Sequence, residues 1–122
     1  MIGWTTIAYG AALSAVLAGL LVAVVARGHR ATAGVAAAVG AAIGPVAWNA
    51  ILRATHATTF FTDAPIRVLP ASWQDTGSGV FAMAATAIIL GFGPLRQLPA
   101  RGAVSLSLLA GLAAFLVDVY LY

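Results

Sequence analysis

Apolar residues run along this chain in four long blocks, and the polar residues gather mostly in the gaps between them. The blocks cover about Trp4 to Ala26, Ala31 to Thr55, Trp73 to Gly93 and Ala103 to Tyr122. Each reaches the roughly 20 residues a helix needs to cross the hydrocarbon of a bilayer. None shows the two-residue alternation of a barrel strand, and only helices and closed barrels satisfy their backbone hydrogen bonds in lipid. The pattern therefore predicts an all-α, integral membrane four-helix bundle. It is a single domain over residues 1–122, with residues 56–72 as the long connection between the second and third helices.

Composition supports the same solvent. The chain is 62% hydrophobic and only 7% charged, whereas a soluble domain carries about a quarter charged residues. The isoelectric point near 10.2 is no sign of nucleic acid. It reflects six arginines against three aspartates, with no lysine or glutamate, and the arginines form no basic stripe. Cysteine is absent, which excludes disulfides, thiolate metal sites and a thiol nucleophile. No metal site is expected, and nothing names a cofactor.

The charges also predict an orientation. The N-terminal stretch MIGWTT carries no basic residue, and Arg27, His29 and Arg30 follow the first block. That order is the reverse of an export signal. Arg96 and Arg101 fall between the third and fourth blocks, on the same side as Arg27 and Arg30. The positive-inside rule makes that side cytoplasmic, giving an N-out/C-out protein with an external 56–72 loop. Trp4, Tyr9, Trp48, Trp73, Tyr120 and Tyr122 all map to the outer half, where interfacial aromatics belong. The expected location is the cytoplasmic membrane of a prokaryote.

Small residues four apart occur at Gly40/Gly44, Ala15/Gly19 and Ser107/Gly111. Such pairs let helix backbones approach closely, and internal packing is the reading preferred over a dimer interface. Pro45, in mid-span, is expected to kink the second helix.

The connection TTFFTDAPIRVLPASWQD concentrates unusual residues. Ser72 and Asp75 have the spacing of a capping box for the third helix. Asp63 and Pro65 read as the start of a short turn that Pro70 ends. Phe60 and Phe61 would anchor this segment at the membrane surface or in the mouth of the bundle. Asn49, Arg53 and His56 are spaced to share one helical stripe. Asp118 lies in the outer third of the last helix, and an ionisable residue there implies a partner, taken to be Arg53. Asn49, Arg53, His56, Asp63, Trp73, Gln74, Asp75 and Asp118 thus form the expected site, and Arg67 either joins it or meets headgroup phosphate. The group is either a structural clasp or a polar pocket walled by Trp48, Trp73 and phenylalanines.

Three functions suit that group. One is binding of a lipid-like or amphiphilic ligand, either alone or as a subunit of a larger membrane complex. A second is an oligomeric transporter or channel for small solutes, although carboxylates are missing from the midplane where coupling sites lie. The third is an intramembrane enzyme using His56 with Asp63 or Asp75 for acid–base chemistry on a lipid-borne substrate. Nucleophilic catalysis has no signature: Ser14, Ser105 and Ser107 lie in apolar helix, and Ser72 serves as a cap. The expected partners are membrane lipid and a second copy or another membrane protein.

Overall fold

The computed structural model describes residues 2–26, 28–93 and 95–121. Four α-helices make up the fold: α1 (Trp4–Val25), α2 (Arg30–Ala54), α3 (Trp73–Phe92) and α4 (Ala100–Leu121). All four are long and apolar enough to cross a membrane, and no strand occurs among the described residues. The expected spans agree with these helices to within three residues at each end. Arg27 and Tyr122, which entered the charge and aromatic patterns above, lie outside the described residues.

Consecutive helices pack side by side, α1 closes the ring against α4, and α2 and α4 also meet across the centre. The interior is built from small residues: Ala18, Ala33, Ala37, Ala41, Ala82, Ala110, Ala113 and Ala114 are buried, whereas Val16, Leu20, Val35, Ile88 and Leu108 stand exposed. A water-soluble bundle would place its bulky residues inside. Here lipid solvates the bulky side chains as well as a core would, so close backbone packing decides what lies inside.

The small pairs make that packing concrete. A methyl group at Gly44 would come 2.3 Å from the backbone nitrogen of Ala82, and one at Gly40 would come 2.1 Å from Thr86 Oγ1. Gly40 and Gly44 therefore seat α2 on α3 within one molecule. Gly79 and Gly111 do the same between α3 and α4, each facing the other's carbonyl oxygen. α2 continues as α-helix through the buried Pro45. The helix ends at Ala54, so His56 lies beyond it.

Candidate functional site

Residues 55–72 link α2 to α3 at the end of the bundle that also holds Ile2 and Val119. One turn of 3-10 helix, Thr58–Phe61, is the regular structure in this link. No helical turn forms after Asp63: Ile66 N–H bonds Ala64 O across Pro65, residues 62–72 are otherwise irregular, and the 3-10 turn precedes Asp63. Phe60 stacks at 6.0 Å on Trp48, and Trp48 in turn packs at 5.1 Å on Phe81. Trp48 lies so closely over Gly77 that a methyl there would come 2.0 Å from the indole. The two phenylalanines thus turn inward, Phe60 onto Trp48 and Phe61 into a cavity.

α3 begins with the expected capping box. Asp75 N–H donates to Ser72 Oγ at 3.2 Å, and Ser72 N–H donates back to Asp75 Oδ2 at 2.7 Å. This reciprocal pair satisfies helix-end donors that would otherwise be orphaned. It also holds the Asp75 carboxylate at the top of the bundle.

A buried hydrogen-bonded group lies just below. The Gln74 side-chain amide donates to Asp118 Oδ2 at 3.1 Å, to Ser78 Oγ at 3.3 Å and to Asn49 Oδ1 at 3.5 Å. Asn49 in turn donates its amide to the Pro45 carbonyl at 2.8 Å. All four side chains of this group are at most 2% exposed. One glutamine therefore ties α2, α3 and α4 together, its amide nitrogen standing within 3.5 Å of an acceptor on each.

Above this group opens a cavity of about 290 Å³ whose polar lining is Asp63, Ser72, Gln74, Asp75 and Asp118. Ile2, Phe61 and Val119 supply its apolar wall. All three aspartates of the chain thus line one space. The described residues hold no cluster of metal-ligating side chains.

Of the eight expected site residues, Asp63, Gln74, Asp75 and Asp118 line the cavity and Asn49 supports it through Gln74. Three stand apart. Arg53 does not pair with Asp118: its guanidinium donates to the carbonyl of Ile2 and lies 4.7 Å over the Trp4 ring. The cation thus rests on an aromatic face and a carbonyl, neither of which is itself charged. His56 leaves the expected stripe because the helix has ended. It sits at φ 54° in the left-handed region, where Ala57 N–H bonds Leu52 O and His56 N–H bonds Arg53 O. Those two bonds define a Schellman cap with His56 at the position glycine usually takes. Its imidazole is exposed. Trp73 is 69% exposed and lines a neighbouring hollow with Asp63 and Ser72 instead of the cavity. Arg67 is exposed in the loop.

Ser78, Ile2 and Val119 were not foreseen. Ser78 could have been found, since it lies one turn from Gln74 on the same face of α3. Ile2 precedes the first helix and carries no sequence signal.

These features define an integral membrane four-helix bundle with an acidic cavity at one end. The chain matches no protein-family model, no curated protein and no solved structure.

Proposed function

We propose that this protein binds the cationic head of an amphiphile in the acidic cavity, with the polar end of the bundle facing the outside of a cytoplasmic membrane. The observation that carries this reading is the convergence of Asp63, Asp75 and Asp118 on one space of about 290 Å³. An anionic head loses its expected cation, because Arg53 is turned away onto Trp4 and Ile2. The sign of the lining selects a positively charged group. The size selects a small one: drug-sized ligands occupy roughly 300–1,000 Å³, so this space suits an ammonium head while its tail remains in lipid. Ile2, Phe61 and Val119 supply the apolar wall beside that tail.

The acid–base alternative is less well supported, since His56 is exposed and lies outside the cavity lining. The transport alternative has its carboxylates at one end of the bundle instead of near the midplane.

The test is a binding titration of the purified protein in nonionic detergent with dodecyltrimethylammonium against dodecyl sulfate, read by calorimetry. The alkylammonium is expected to bind saturably. Asp63→Asn is expected to weaken it about fivefold without changing the helix content, in line with about 1 kcal/mol for one partly solvated charge. Equal or tighter binding of the alkyl sulfate would overturn the proposal.

A further inference from the structure

The opposite end of the bundle has no carboxylate, since all three line the cavity just described. His29, Arg30, Arg96 and Arg101 are all exposed there. Two depressions meet between them. One is an apolar groove of about 480 Å³ between α2 and α3, formed mainly by Ala31, Val35, Val39, Ile89, Leu90 and Leu95. The other is a more polar hollow of about 350 Å³, lined by His29, Gln97, Leu98, Pro99 and the same Leu95. Leu95 lines both.

Two arginines are chain neighbours of the lining residues. Arg30 lies between His29 of the hollow and Ala31 of the groove, and Arg96 lies between Leu95 and Gln97. An apolar slot along two membrane helices, beside a hollow at an end of the bundle that carries exposed cations and no carboxylate, is complementary to one kind of molecule. The slot takes an acyl chain, the hollow takes glycerol and phosphate oxygens, and the arginines neutralise a phosphodiester. We infer that this end of the bundle holds one anionic phospholipid, with its phosphate between Arg30 and Arg96 and one acyl chain along the groove. The site is separate from the acidic cavity and stands whether or not that cavity binds a cation.

The full chain in nonionic detergent, titrated with dioleoylphosphatidylglycerol or dioleoylphosphatidylcholine and read by native mass spectrometry, tests the assignment. One phosphatidylglycerol is expected to be retained in preference to phosphatidylcholine. Arg30→Gln and Arg96→Gln are each expected to weaken it about fivefold, the worth of one basic residue near an anionic lipid surface. Arg101→Gln removes the same charge from the same end, but its neighbours Ala100 and Gly102 line neither depression. It is expected to change retention less than twofold. Val35→Trp, made at a position that is 64% exposed, fills the groove and is expected to remove the bound lipid with the helix content intact. Inorganic phosphate at millimolar concentration is expected not to displace it. Equal retention of the two lipids, an Arg101→Gln loss matching that of Arg30→Gln, full retention in Val35→Trp, or displacement by phosphate would each overturn the assignment.

Discussion

Gln74 holds Asp118 across the interface between α3 and α4, amide to carboxylate at 3.1 Å, with both side chains only 1% exposed. Acceptors this enclosed are largely out of reach of solvent, so water replaces their hydrogen bonds poorly. Gln74→Leu strips a donor from Asp118, Ser78 and Asn49 together and is expected to cost about 2–3 kcal/mol. Gln74→Leu with Asp118→Asn removes the donor and the buried charge it served while leaving residue 118 polar for its other contacts, and is expected to recover part of that loss. Reversible unfolding of the two variants in mixed micelles measures both numbers. A single mutant as stable as the parent would show that this amide holds nothing.

The contact between Gly44 and Ala82 sets a second expectation. A methyl at residue 44 would lie 2.3 Å from Ala82 N and 2.5 Å from its Cα. Backbone cannot rotate away as a side-chain tip can, so α2 and α3 must separate. Gly44→Ala is expected to destabilise by about 2 kcal/mol or more, an overpacking effect. Gly91→Ala and Gly102→Ala meet nothing within 4 Å. These are expected to stabilise by about 0.5–1 kcal/mol, since alanine loses less backbone freedom in a helix. If Gly44→Ala instead changed only the oligomeric state, the glycine pair would belong to an interface between molecules.

His56 closes α2 with a positive φ of 54°, a conformation in which a Cβ is strained and glycine is not. His56→Gly is expected to raise stability by about 0.5–1 kcal/mol, and His56→Val to lower it, because branching at Cβ worsens the same clash. The melting temperatures of the two variants should move in opposite directions. A loss of stability in His56→Gly would mean that the imidazole makes a contact worth more than the strain.

Fold and site differ in how far the sequence revealed them, and the reason is range. A membrane helix is specified by the bulk property of about 20 neighbouring residues, so residues 4–25 and 73–92 could be read directly from hydropathy. The Ser72–Asp75 cap was equally legible because both partners lie within one turn. Gln74, Asp75 and Asp118 could be assigned to one end of the bundle because depth follows from counting residues along each helix. Pairing was not legible. Arg53 and Asp118 stand at similar depth, yet Arg53 found Trp4 and Ile2 instead. Nothing in the spacing of residues along α2 and α4 says which neighbour a long, flexible side chain will choose. His56 was misplaced for a related reason: the 100° rule was extended past Ala54, where the helix had already stopped.

Arg53 links two features of the polar end, and its removal should separate them. Its guanidinium lies 4.7 Å over Trp4 and donates to the carbonyl of Ile2, and Ile2 itself forms part of the cavity wall. One cation thereby holds Ile2 and Trp4 against the end of α2. Arg53→Met keeps the apolar stem but loses the ring contact, worth about 0.5–1 kcal/mol at a partly exposed site, and the charged hydrogen bond. The expected result is faster amide exchange confined to the first turn of α1, where Ile7 N–H bonds Gly3 O at 3.0 Å. Exchange in the middle of α3 should not change. If protection at Ile7 stayed at its parental level, the N-terminal segment would be held by its own packing, and Arg53 would not be its anchor.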